Sequence, residues 1–340
     1  MDIELFALVG FVLAAYSIVA NDVIQTLGTF MASNSQRSWQ ILWLYACSIL
    51  AAVLFYGYFA FDGDIAFSRL NRIPYPETGI QWWHAVPPLV LLFLTRFGVP
   101  VSTTFLVLTL FAMTGGAATE GVLQKMLTKS ALGYVVAVTA GGLLYLAISR
   151  SFERWIGDTR DESPASYWVV LQWLSTAYLW SQWLMQDLAN IFVYLPRTTT
   201  VVDGATQVSF GWELLLLATF VMLVLHAYVF ATRGGTIQRI VLRKTNTTDI
   251  RAATLIDFSY GVILMIFKEW NDIPMSTTWV FLGLLAGREI AISWAIGARS
   301  TGEAMRDVAG DLARAALGLV VSVALAFGLP WLATGSMPTF

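Results

Sequence analysis

The chain is a succession of long apolar stretches, over 3–32, 38–61, 84–113, 130–149, 166–195, 209–232, 252–297 and 313–335. Each approaches or exceeds the ~20 residues that a helix needs to cross the hydrocarbon core of a bilayer. With no water there to satisfy backbone N–H and C=O groups, such segments close their hydrogen bonds within helices. The expected fold class is therefore an all-α polytopic membrane protein. The balance of 57% hydrophobic and 12% charged residues agrees, since an average soluble protein is roughly a quarter charged. The 14 tryptophans suit interfacial belts and helix packing. A net charge of −2 with no Lys/Arg-rich block speaks against a nucleic-acid partner. Cys47 stands alone in an apolar run and reads as a small buried hydrophobe. His84 and His226 are isolated, as packing or interface residues are. The start, Met1-Asp2-Ile3-Glu4, lacks the basic opening of a cleaved signal peptide, so the first stretch reads as a helix of the mature protein.

Two stretches are irregular. The 84–113 segment contains Pro87, Pro88, Gly98 and Pro100; 252–297 is too long for one span and is broken by Lys268-Glu269-Trp270-Asn271-Asp272 ahead of Pro274. Proline removes a backbone donor and collides with the preceding turn, so each is expected to be a re-entrant hairpin of two half-helices. The remaining stretches then align as two halves, 3–32 with 166–195, 38–61 with 209–232, and 130–149 with 313–335. The expected organisation is a first transmembrane repeat over 1–150, a charged cytoplasmic linker over 151–165, and a second repeat over 166–340. Three full crossings per half invert the second repeat relative to the first, a plan common among secondary transporters. Arginine and lysine gather on the side of Arg37, Arg154, Arg233 and Arg251, which the positive-inside rule makes cytoplasmic, with both termini outside. That places the protein in the cell's inner (plasma) membrane.

The polar residues inside these stretches repeat as well. The first stretch holds Asn21-Asp22-Val23-Ile24-Gln25 and the fifth Gln186-Asp187-Leu188-Ala189-Asn190. A carboxylate at membrane depth costs several kcal/mol unless it is paired or functional, and two at matching places imply function. An Asp and an amide one turn apart present oxygens on one helix face, and oxygens ligate hard cations such as sodium. A protonated carboxyl is the alternative, and Lys268 or Arg288 the structural partners to be weighed. Both hairpins carry Pro-x-Ser-Thr-Thr, as Ser102-Thr103-Thr104 and Ser276-Thr277-Thr278. Hydroxyls, unpaired N–H groups and the positive end of a half-helix dipole together suit an anion. Capping alone accounts for one hydroxyl at each site. Arg96 and Lys268 precede the two tips and are candidates to attract an anion. Arg288 stands beside Glu289, as an ion pair or an accessory substrate contact.

At these residues the chain resembles the inorganic phosphate transporter (PiT) family, whose members carry Gly-Ala-Asn-Asp-x-x-Asn in a first helix and Pro-x-Ser-Thr-Thr in a hairpin of each inverted half. The resemblance implies a symporter working by alternating access. Asp22, Gln25, Asp187 and Asn190 would bind sodium, with Asn21 and Gln186 beside sodium and substrate. Ser102, Thr103, Thr104, Ser276, Thr277 and Thr278 would cradle phosphate. Sodium is then the coupling ion, and no other cofactor is implied. Val19 replaces the family's glycine, Gln25 and Gln186 replace asparagines, and Phe105 and Trp279 stand where a histidine is common. These departures leave sulfate or another oxyanion, and proton coupling, as alternatives. A passive anion channel is a second alternative, though the paired aspartates suit coupling better and the paired Asn-Pro-Ala of water channels is absent. An aspartyl protease would need a Gly-x-Gly-Asp setting that Asp22 and Asp187 lack, so no enzyme is expected. No motif marks an oligomeric state, and a homodimer is open.

Overall fold

The computed structural model describes residues 3–97, 101–114, 121–159, 162–234, 249–270, 274–297 and 300–335. The first apolar stretch is not one regular helix. Helix α1 (Leu5–Ile18) widens into a single π-helical turn over Val19–Val23 and continues as α2 (Ile24–Ser33). Such turns inside α-helices gather at functional sites, and this one holds Asn21 and Asp22. Helix α3 (Trp39–Ala60) follows, then a loop over 61–81 and a 3-10 turn at Trp82–Ala85. Helix α4 (Val86–Arg96) has proline in its first turn, where no intrahelical N–H is needed. A second π-helical turn, Thr104–Leu108, leads into α5 (Thr109–Thr114). Helix α6 (Val122–Asp158) closes this half.

The second half begins with α7 (Tyr167–Asp187), which passes through Leu188 into the short α8 (Ala189–Phe192). A two-stranded antiparallel ribbon follows, β1 (Thr198–Val202) and β2 (Ala205–Ser209), closed by Asp203-Gly204 with positive φ at both residues. That is the turn a tight hairpin requires, and it is an exposed addition to the expected all-helical plan. Then come α9 (Trp212–Ala231), α10 (Ile250–Trp270), α11 (Thr277–Ile296) and α12 (Thr301–Thr334). Among the described residues, six helices are long and apolar enough to cross a membrane, the fold of a multi-pass membrane protein. Their outward side chains, among them Leu44, Phe59, Leu143 and Phe220, are exposed as a lipid-facing surface would be.

Two expected boundaries move. Helix α6 begins at Val122 and runs 37 residues to Asp158, about 55 Å at 1.5 Å per residue and well beyond the ~30 Å bilayer core. The expected span 130–149 is its middle, and the expected linker 151–165 is helical as far as Asp158. Helix α12 likewise starts at Thr301 instead of 313, with Ser300 accepting the Glu303 N–H at 3.2 Å as its cap. In both cases charged helix formers extend the helix past its apolar part. The breaks expected in the two hairpin stretches do occur, after Arg96 and between Trp270 and Thr277. Pro100, Asn271 and Asp272 lie outside the described residues.

The helices pack in reciprocal pairs. Helix α6 lies along α11 while α12 lies against α5; α3 meets α7 while α9 meets α1; α7 packs on α10 while α1 packs on α4. Indole N–H groups tie α3 to its neighbours, Trp43 to the Leu223 carbonyl of α9 at 3.0 Å and Trp180 of α7 to the Ala46 carbonyl of α3 at 2.9 Å. Tyr45 adds a hydroxyl bond to the Trp173 carbonyl. The closest approach is between α6 and α11. A Cβ built on Gly287 would stand 2.1 Å from the Val138 carbonyl oxygen, and one on Gly283 2.6 Å from that of Tyr134. Small residues four apart let backbones touch in this way in membranes. Overpacking such a contact costs about 1–3 kcal/mol or more. Gly287→Ala is expected to lower the thermal unfolding midpoint in detergent by several degrees. Gly302→Ala, with open space around the new Cβ, should leave the midpoint in place.

Candidate functional site

Asp22 and Asp187 meet inside the bundle, 1% and 0% exposed, and each is held by hydroxyls from the two broken stretches. Asp22 accepts from Thr103 Oγ1 at 2.6 Å and from Asn21 Nδ2 at 2.8 Å. Asp187 accepts from Thr277 Oγ1 at 2.6 Å, Asn190 Nδ2 at 2.7 Å and Thr104 Oγ1 at 3.2 Å. Asn190 also donates to Thr103 at 3.1 Å and Thr104 at 3.2 Å, so the two carboxylates belong to one network. Like charges held in one buried network repel each other when both are ionised. Four separate segments meet here: the π-helical turn of the first stretch, the end of α7 with α8, and the starts of both second half-helices.

The local folding explains why the threonines point inward. At each break the serine caps the helix behind it: Ser102 Oγ accepts the Phe105 N–H at 3.3 Å and Ser276 Oγ the Trp279 N–H at 3.2 Å. With the serine so placed, Thr103, Thr104 and Thr277 occupy the first turn and face the carboxylates. Thr278 is buried but donates to neither. Behind the threonines, Phe105 and Trp279 pack edge to face with centroids 5.8 Å apart, an apolar wall. Tyr260 donates to the Thr277 carbonyl at 3.0 Å, and the Ser276 N–H to Ser130 at 2.8 Å, which fix the second tip from α10 and α6.

Neither carboxylate forms a direct ion pair among the described residues. Lys268 pairs with Glu269 at 3.0 Å at the end of α10. Arg288 pairs with Glu289 at 3.0 Å and lies over Tyr145 of α6, 5.3 Å from its ring centre. The weighed structural partners of the aspartates are thus engaged elsewhere, and Arg288 does not join the site. The side chains of Gln25 and Arg96 lie outside the described residues. Gln186 donates to the Leu264 carbonyl at 3.2 Å. Its Oε1 and the Oδ1 of Asn190 are buried oxygens without a hydrogen-bond donor among the described residues. Carboxylates, hydroxyls and orphan amide oxygens form the kind of ligand set that hard cations take.

A further buried carboxylate escaped the sequence reading. Asp257 of α10, 0% exposed, accepts from Thr29 at 2.5 Å, Thr176 at 2.6 Å and Gln172 at 3.3 Å. Asn34 donates on to Gln172 at 3.0 Å, and Trp173 to Asn34 at 3.1 Å. This chain joins α2, α7 and α10 near the ends that carry Arg37 and Arg251. Its signal in the sequence was a lone acid in the apolar run 252–267, unmatched in the other half and so passed over by a search for repeats.

A solved structure described as "The sodium-dependent phosphate transporter" resembles the chain across 98% of both, with a TM-score of 0.64 at 16% identity. At that identity the likeness speaks for the fold alone. No family model matches the chain, and no curated protein matches it in sequence.

Removing Asp257 separates its roles. Asp257→Leu strips the acceptor from three buried donors, each costing about 1–3 kcal/mol when unsatisfied, and is expected to lower the unfolding midpoint markedly. Asp257→Asn keeps a polar partner and should unfold near the wild-type temperature in the same melt.

Proposed function

We propose that the protein is a secondary active transporter that imports an inorganic oxyanion, phosphate foremost, together with sodium. The observation that carries this reading is the single network in which Asp22 and Asp187 are bonded to Thr103, Thr104 and Thr277 from both hairpins. Carboxylates this deep, with no direct ion pair among the described residues, favour cations, and the hydroxyls beside them favour an oxyanion. A cation between the two reconciles groups that would otherwise repel. The solved phosphate transporter of like fold supports the same substrate class.

The reciprocal packing of α6 on α11 and α12 on α5 supports two inverted repeats, with hairpins that enter from opposite faces. On that plan the Arg37 side is cytoplasmic, and the Asp257 chain lies between the central site and the cytoplasm. The need for a coupling ion follows from energetics. Importing two negative charges against an inside-negative potential costs about 4.6 kcal/mol per 100 mV, so uptake needs a co-transported cation. Two sodium ions bound beside Asp22 and Asp187 neutralise the carboxylates, make room for the anion and supply the gradient. The apolar wall of Phe105 and Trp279 favours a site that reads tetrahedral shape and charge, which sulfate shares.

Uptake of labelled phosphate and sulfate by purified protein in liposomes, under sodium or proton gradients, tests the reading. Sodium-driven phosphate accumulation is expected. Asp22→Asn and Asp187→Asn should each abolish it while the protein still inserts and unfolds cooperatively. Wild-type uptake by both variants would end the assignment of these residues.

A further inference from the structure

Helices α11 and α12 pack on each other and α11 packs along α6, but the three do not close over their whole length. Between them lies a cavity of about 890 Å³, bordered by Tyr134 of α6, Leu282 and Glu289 of α11, and Asp307, Asp311 and Arg314 of α12. Residues 307, 311 and 314 recur at helical spacing and share one face of α12, the face turned to the cavity. Met305 and Val320, on the opposite face, are exposed apolar residues. A membrane helix that turns its charges inward and its apolar side outward borders a wet hollow, because ionisable groups there face water-filled cavities or one another. The charges are also matched. Glu289, Asp307 and Asp311 share the lining with Arg306 and Arg314, while Arg288 pairs with Glu289 and Arg314 with Asp311, each at 3.0 Å. A wall of one sign would repel the anion or the cation, and this wall does neither.

The inner end of the cavity approaches the polar centre along both helices. On α11, Leu282 stands five residues beyond Thr277, about 7.5 Å at 1.5 Å per residue. Tyr134 reaches from α6 to Trp279, ring centres 6.4 Å apart, and Trp279 packs in turn on Phe105 at 5.8 Å. Phe105 directly follows Thr104, so three rings in series stand between the cavity and the hydroxyls that bond Asp22 and Asp187. The Trp279 indole N–H is buried without an acceptor among the described residues, and no hydrogen bond locks the middle ring there. On α12, Gly318 lies against the residue before Ser102: a Cβ built on it would stand 3.3 Å from the Val101 side chain. The Val101 carbonyl in turn accepts from Asn21 Nδ2 at 3.4 Å.

We infer that this cavity is the vestibule through which the central site exchanges its anion and cations with one aqueous face, and that the stack of Tyr134, Trp279 and Phe105 is the gate between them. The inference rests on the oxyanion-transport reading above and adds to it the route by which ions reach or leave the site. A groove filled by lipid tails could have the same shape, but it would have no use for a charged wall, and blocking it would leave transport untouched.

The test places single cysteines in the chain, whose own Cys47 is buried, and labels them in detergent with the charged reagent 2-(trimethylammonium)ethyl methanethiosulfonate, which forms a mixed disulfide with a thiolate. Gly310 lines the cavity, and a Cβ added there meets nothing within 4 Å. Gly310→Cys is expected to transport phosphate as wild type before labelling. It should be modified at least about tenfold faster than the lipid-facing Leu143→Cys, since the reactive thiolate forms in water and not in an apolar setting. Reconstituted after modification, Gly310→Cys should take up phosphate severalfold more slowly. Thr278 is buried beside the gate; Thr278→Cys should react slowly, and at least about tenfold faster once Trp279→Ala admits water to it. Slow modification of Gly310→Cys, unchanged uptake after it, or no gain at Thr278→Cys from Trp279→Ala would each overturn the inference. Should Trp279→Ala fail to unfold cooperatively in a melt, Tyr134→Ala takes its place, and an unchanged labelling rate at Thr278→Cys there overturns it. Absence of phosphate and sulfate uptake by the wild type under any cation gradient would instead bring down the transport reading itself, and the role of the vestibule with it.

Discussion

Two carboxylates at 1% and 0% exposure are the constraint on which the architecture depends. Neither can be tolerated alone in an apolar bundle, because a buried charge needs compensation. Neutral donors from several segments supply part of it: Thr103 and Thr104 from one broken stretch, Thr277 from the other, and Asn190 from α8, just beyond Asp187. The broken helices are the means. A continuous helix uses its own N–H and C=O groups internally and can offer a site only side chains. A helix start, or a π-helical turn, brings unpaired backbone groups and a dipole end to the same place. The departures from regular helix at Val19–Val23, Thr104–Leu108 and Leu188 therefore coincide with the polar centre.

The same requirement is met differently at Asp257. There the donors come from α2 and α7, and the carboxylate serves as a junction between whole helices. The bundle is thus tied at two places by acids bonded to threonines, and the loop over 61–81 is held by Asp64, which accepts the Ala66 N–H, and by Arg197, which donates to the Ile73 carbonyl. Hydrogen bonds between neutral donors and carboxylates can be exchanged for cation contacts without large movement, whereas arginine pairs are harder to exchange. Threonine is the residue type suited to such a site, because its hydroxyl both donates and accepts.

Much of this was legible in the sequence where the physics is local. Apolar length fixed the membrane-spanning helices, and proline marked the breaks before α5 and α11. The duplicated Asp-x-x-amide and Ser-Thr-Thr motifs pointed to residues that do converge, Asp22, Asp187, Asn190, Thr103, Thr104 and Thr277. The serines proved to be caps, and Arg288 faces α6. Hidden from the sequence were contacts set by tertiary placement. Arg69 lies in a polar loop that reads as surface, and only its folding back between α3 and α4 brings it to α10. Asp257 has no counterpart in the other half, so a symmetry argument passes over it. The ends of α6 and α12 were misplaced because helix propensity continues where hydropathy stops.

The seam between α6 and α11 has an evolutionary corollary. Where two side chains crowd each other, a larger residue on one helix can be accommodated by a smaller one opposite. At Gly287 the neighbours are the Val138 carbonyl and the Gly142 nitrogen, and backbone atoms cannot be made smaller. No second-site change on α6 can compensate there, so the position is closed to drift. Helices α6 and α11 are therefore bound to each other as one unit at this contact.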